Sequence, residues 1–158
     1  MKKFGRYYFY FLFLFLTGCA ASSYLKGISP AGEKVYLGPV PIKNTEAFQQ
    51  YQKSAHGEVD KQRYLFDRLK AAKDLQFYRD GNWYNSLEAF RGGMWLMRNR
   101  YKQDQDTRQF IKKNIEHSDA GNYHLAKYPD GTLHIGSYVL ENELDLLEET
   151  AKKTEDKK

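Results

Sequence analysis

The stretch Leu75-Gln76-Phe77-Tyr78-Arg79-Asp80-Gly81-Asn82-Trp83-Tyr84-Asn85-Ser86-Leu87-Glu88 decides the fold. Asp80-Gly81 readily takes the positive backbone angles of a tight hairpin turn, and β-favouring aromatic residues flank it on both sides. Asn85 followed three residues later by Glu88 has the spacing of a capping box, so the second strand must hand the chain directly to a helix. Strand, turn, strand and helix start follow one another without a spacer. That order argues for antiparallel pairs, and nothing in it requires a parallel sheet.

Downstream, Leu87, Phe90, Met94, Met97 and Tyr101 recur at spacings of three and four, which predicts a helix over residues 86–102 with one apolar seam. Gly92-Gly93 in its middle costs roughly 1 kcal/mol per glycine against alanine, so either a groove beside the glycines or tight packing or bending of the helix is expected there. Asp106 or Thr107 caps a shorter helix carrying Phe110, Ile111 and Ile115, which ends before Ser118-Asp119-Ala120-Gly121. A second hairpin joins residues 122–128 to 132–136 through Pro129-Asp130-Gly131, and alternation puts Tyr123, Leu125, Leu133 and Ile135 on one face. Ser137 is placed to cap a last helix with Leu140, Leu144 and Leu147 inside and Glu141, Glu143, Glu148 and Glu149 in water.

Upstream, Thr45 caps a helix bearing Phe48 and Tyr51, and Gly57 breaks it. Val59, Leu65, Phe66, Leu69 and Ala72 then form the buried stripe of a second helix. The expectation is a single small α+β domain over residues 45–149, with about four or five helices and two antiparallel β-hairpins. Residues 19–44, broken by Pro30, Pro39, Pro41 and several glycines, read as a tether, with Lys34 to Leu37 as an alternative short edge strand. Residues 150–158 mix Lys, Glu and Asp and are expected to form a disordered charged tail.

The amino terminus carries a different kind of signal. Lys2, Lys3 and Arg6 precede an apolar run over residues 7–16, and Leu16-Thr17-Gly18-Cys19 follows. The run is of signal-peptide length and ends short of the roughly 20 apolar residues needed to span a bilayer. This junction resembles a bacterial lipobox. The resemblance implies that residues 1–18 are a lipoprotein signal peptide, that diacylglycerol is attached to Cys19, and that the protein is held in the cell envelope. Two or three acyl chains make such an anchor effectively permanent. Ala20 in place of aspartate implies, by the same resemblance, the outer membrane facing the periplasm.

Loss of the leader changes the charge balance. The chain has 25 Lys+Arg and 20 Asp+Glu; without Lys2, Lys3 and Arg6 the difference is 22 − 20, or +2. A near-neutral surface gives no electrostatic reason to expect nucleic acid. The only cysteine is Cys19, so with that residue acylated the domain has no disulfide and must rely on its core.

The stretch from Glu58 to Leu147 resembles a family of small secreted bacterial proteins of unknown function. The matching residues are Phe77-Tyr78-Arg79-Asp80-Gly81 with Tyr84 and Ala89, then Phe110-Ile111, then Ser118-Asp119-Ala120-Gly121-Asn122-Tyr123. Asp80 stands where the family has asparagine. Gly92-Gly93 and Trp95-Leu96 stand where it often has a His-Leu pair. The resemblance implies domain boundaries and carries no chemistry.

Candidate chemistry is sparse. The histidines are His56, His117, His124 and His134, with no HExxH or HxxxH spacing and no second cysteine, so no metal or other cofactor is expected. His124 and His134 fall diagonally across the second hairpin. His117-Ser118-Asp119 contains the residue types of a nucleophilic triad, but sequence neighbours seldom point at one another. An envelope hydrolase using His117 or His124 with a nearby acid or Ser118 is the alternative function. The preferred expectation is a non-catalytic binding or scaffolding domain contacting an envelope protein or cell-wall component. Its candidate residues are Tyr78, Arg79, Trp83 and Tyr84, because aromatics beside an arginine offer large contact area at low entropic cost.

Overall fold

The computed structural model describes residues 24–103 and 105–156. The leader, Cys19 and the lipobox lie outside the described residues. Five helices and four strands follow one another: α1 (Glu46–Gln52), α2 (Glu58–Ala71), β1 (Gln76–Arg79), β2 (Asn82–Tyr84), α3 (Ser86–Arg100), α4 (Thr107–Asn114), β3 (Leu125–Lys127), β4 (Leu133–Ile135) and α5 (Gly136–Glu155). This is the expected α+β domain with two hairpins.

The local signals act as their chemistry requires except at Ser137, which does not cap the last helix: that helix starts at Gly136 without a side-chain cap, and Ser137 lies buried inside it. Thr45 Oγ1 accepts from the Phe48 amide at the start of α1. Asn85 Oδ1 accepts from Leu87 and Glu88 N–H while Glu88 Oε2 accepts from Asn85 N–H, closing the capping box of α3. Asp106 Oδ1 takes the Arg108 and Gln109 amides at α4. Asp80 and Gly81 have φ of +47° and +89°, the left-handed pair of a type I′ turn.

The two hairpins form one antiparallel sheet in the order β2-β1-β3-β4. Phe77 pairs with Tyr84 and with Ala126, and Ala126 pairs with His134. These residues therefore share one face with Arg79 and Asn82. Tyr78, Trp83, Leu125 and Ile135 share the other. Phe77 and Tyr128 pack against the main core, which is built by Phe48, Tyr64, Phe66, Phe110, Ile111, Val139, Leu144 and Leu147 among others.

Three expectations are corrected. Residues 24–44 are not a spacer: Leu25 bridges His134 in parallel at the β4 edge, Leu37 and Ile42 are buried, and Asn142 Nδ2 donates to the carbonyls of Gly27 and Val35. The prolines and glycines interrupt a strap that is held by side chains of α5 instead of by a ladder. The carboxy-terminal residues are not a frayed tail as far as they are described, because α5 runs to Glu155 with Thr150 and Ala151 buried. Glu143 does not lie in water: it is wholly buried, accepting from Arg68 Nε at 2.6 Å, Tyr64 Oη at 2.8 Å and the Leu37 amide at 2.9 Å. Arg68 in turn donates to the Pro39 carbonyl. One buried ion pair thus fastens the strap to α2 and α5, with both charges hydrogen-bonded as burial demands.

Helix α3 keeps most of its expected seam, with Phe90, Met94, Met97 and Tyr101 packed against the core, and departs from it at its first turn. Leu87 is exposed, whereas Gly93 and Leu96 are buried. A Cβ on Gly93 would come within 2.5 Å of the Phe66 ring, so this glycine lets α3 lie directly against α2. Gly92 has open space where its side chain would be.

Candidate functional site

Between the Phe77 face of the sheet and the helices lies a cleft of about 290 Å³. Phe66 and Leu69 of α2, Leu96 of α3 and Val139 of α5 supply apolar walls, while Gly92 and Gly93 leave the adjoining side of α3 without side chains. Tyr84, Glu88 and Gly92 are exposed and mark its opening. Its charged and titratable lining groups are Arg79, Glu88, His124 and the two tyrosines Tyr78 and Tyr84. A mostly apolar concavity with a few polar groups is the usual form of a small-ligand site.

Register divides the four expected binding residues. Arg79 and Tyr84 lie on the sheet face that forms the cleft; Tyr78 also borders it, through a residue whose side chain belongs to the opposite face. Trp83 does not line the cleft. It is 46% exposed, packs on Tyr78 at 5.2 Å between ring centroids, and has Lys127 Nζ 5.6 Å from its own centroid. The aromatic hairpin therefore offers two surfaces, a cleft wall and an outer tryptophan.

His124 Nδ1 lies 2.7 Å from the Ile115 carbonyl, which fixes the proton on Nδ1 and leaves Nε2 as a lone pair. That Nε2 is buried without a hydrogen-bond partner. Burial holds the imidazole below the ordinary histidine pKa, and the nearby Arg79 guanidinium adds to the effect. Arg79 makes its only ion pair among the described residues with its neighbour Asp80, at 3.6 Å. Asp80 is itself occupied: its Oδ1 accepts from Ser118 Oγ at 2.6 Å and Asn122 Nδ2 at 3.0 Å. Those bonds, with Asn122 the larger contributor, hold its carboxyl below the usual range.

The Ser118 hydroxyl that a nucleophile would surrender to an imidazole is thus committed to a carboxylate. His117 packs against Tyr123 with ring centroids 4.3 Å apart and the rings tilted by 35°, with Nδ1 3.7 Å from Glu116, and Asp119 is held by the Arg100 guanidinium. His134 is buried edge-on to Tyr128 and His56 is stacked on Tyr51, whereas His117 is near enough to His124 to contribute to the lowering of its pKa. Among the described residues no three His, Cys, Asp or Glu side chains gather to hold a metal ion, and no helix is long and apolar enough to cross a membrane.

Sequence reasoning named His124 only for the alternative hydrolase and gave a groove beside Gly92-Gly93 as one of two readings; it did not join them to Arg79 and Tyr84 in one cleft. Parity along the strands carried part of the signal, since residues 77, 79, 82 and 84 must share a face. No protein-family model, no curated protein and no solved structure matches this chain.

Proposed function

We propose that the protein is a lipid-anchored lipoprotein of the bacterial envelope, tethered through Cys19 after removal of residues 1–18, whose domain is a non-catalytic binding module for an envelope protein or cell-wall component. The anchor rests on the lipobox-like junction and its basic and apolar leader. The Ala20 position favours the outer membrane, facing the periplasm. The binding role rests on one observation above the others: the cleft bounded by Arg79, Tyr84 and His124 joins apolar walls to a cation and a free hydrogen-bond acceptor. Such a combination serves recognition, because it fixes the orientation of an apolar ligand.

Cross-linking in the native envelope tests both parts. Trp83→Ala and Arg79→Gln are expected to lower recovery of the cross-linked partner while leaving the thermal midpoint nearly unchanged, since both side chains are substantially exposed. Cys19→Ser is expected to release the protein from the membrane fraction. An intact initiator end without acyl mass on the native protein refutes the anchor, and undiminished partner recovery by both variants refutes the binding face.

A further inference from the structure

The polar groups of the cleft specify more than a general binding site. Arg79 is a donor, and its single contact to Asp80 leaves most of its N–H groups unused among the described residues. His124 Nε2 is an acceptor with its lone pair unmet. Arg79 and His124 both line the cleft, and extending the β1–β3 register one residue beyond Tyr78–Leu125 sets His124, just before β3, opposite Arg79, so a ligand headgroup can address both. Glu88 at the opening has one carboxylate oxygen engaged by the Asn85 amide.

The walls set the size. At about 290 Å³ the cleft lies at the small end of the range of ligand pockets, suited to one side chain and its headgroup and not to a long chain. A simple fatty acid would satisfy Arg79 and leave His124 unmet. A free amino acid would bring an ammonium group, costly to desolvate beside a neutral imidazole and an arginine. An amide N–H next to a carboxylate satisfies both groups without a second charge.

Resting on the binding reading above, we propose that the cleft captures the carboxy-terminal residue of a peptide: an apolar side chain between α2, α3 and α5, the terminal carboxylate on Arg79, and the last amide N–H on His124 Nε2. Carboxylate capture of this kind is a recurring mode of peptide recognition.

Titration of the full-length protein in detergent micelles tests it, using the acetylated tripeptide Gly-Gly-Leu as free acid, as its carboxamide, and with aspartate as last residue, alongside free leucine. The free acid is expected to bind at least about tenfold more tightly than the carboxamide, through charge-assisted hydrogen bonds to Arg79. The aspartate peptide and free leucine are expected to bind more weakly still. Arg79→Gln is expected to erase the preference for acid over carboxamide, and Gly92→Leu, which adds bulk where space is open, to weaken the leucine peptide. Equal binding of acid and carboxamide, or binding of free leucine as strong as that of the peptide, overturns the ligand assignment. So does an absence of binding by every probe while Trp83→Ala still lowers partner recovery in the envelope. That last pattern leaves the binding-module reading standing, whereas loss of neither property to substitution would remove both.

Discussion

Replacing Glu143 by leucine is the sharpest test of how this domain holds together. The carboxylate is fully buried and satisfies three donors, Arg68 Nε, Tyr64 Oη and the Leu37 amide. Leucine at 143 leaves a guanidinium 3% exposed with only the Pro39 carbonyl as a partner. Removing one member of a buried pair costs about 3–5 kcal/mol, because the other charge stays uncompensated. Total stability of a domain this size is about 5–15 kcal/mol, so a fifth or more of it is at stake. At roughly 4 °C per kcal/mol, the thermal midpoint falls by about 12–20 °C. Arg68→Met combined with Glu143→Leu removes both charges and is expected to recover part of the loss, the Tyr64 hydroxyl and Leu37 amide still lacking their acceptor, with a coupling of at least about 2 kcal/mol in the double-mutant cycle. Urea unfolding measures the four corners of that cycle, and hydrogen exchange at the Leu37 amide reports release of the strap. A cost below about 1 kcal/mol for the single variant, or strict additivity of the two, refutes the reasoning.

The α3 glycines should separate cleanly in urea unfolding. Gly92→Ala, with open space at its Cβ, is expected to stabilise by up to about 1 kcal/mol from helix propensity, whereas Gly93→Ala drives a methyl into the Phe66 ring and is expected to destabilise by about 1–3 kcal/mol. Gln62 is buried with neither side-chain polar atom hydrogen-bonded, so Gln62→Met is expected to raise the urea midpoint by an amount equivalent to about 1–3 kcal/mol; a lower midpoint would mean that the amide has a partner. His124 and His134 both titrate below the ordinary histidine value because they are buried. The unfolded chain therefore binds more protons just below pH 6.5, and stability is lost as pH falls from there to the native values, by at most about 1.4 kcal/mol per pH unit for each histidine. A denaturation series from pH 7.5 to 4.5 checks this, and His134→Phe should flatten the slope.

Local chemistry made much of the fold legible. Caps at Thr45, Asn85 and Asp106 and turns at Asp80-Gly81 and Pro129-Gly131 act over a few residues, and each can be read from its own neighbours. The joining of the two hairpins through Phe77 and Ala126 cannot, because that pairing spans a large separation and depends on what the helices leave uncovered. Glu143 was legible in principle: three residues after Leu140 and four before Leu147, it sits on the apolar stripe, where a carboxylate must have buried partners. Its partner Arg68 likewise follows Tyr64 by one turn on the buried side of α2. Of the site, Arg79 and Tyr84 were foreseen as binding residues, while the parity that divides them from Trp83 was available and unused. His124 depended on the Ile115 carbonyl, which only the folded chain brings near.

The packed strap changes what an anchor at Cys19 would mean. With residues 24–44 built into the domain, only residues 20–23 separate the proposed lipidated cysteine from Tyr24, a reach of at most about 18 Å when fully extended. Leu25 sits at the β4 edge, and β2 with Trp83 occupies the far edge, about 19 Å away at four strand spacings. A lipid tether at Cys19 would hold that edge near the headgroups and leave the aromatic edge facing away from the bilayer. A partner of the proposed binding face would then approach without competing with lipid. A photo-cross-linking residue at exposed Lys26 should label lipid in intact envelopes, and one at Trp83 should label protein or cell-wall material. Inserting about ten Gly-Ser residues after Ser23 should abolish the first product and spare the second. Lipid labelling from position 83, or none from position 26 in the unextended chain, would show that the domain does not stand on its β4 edge.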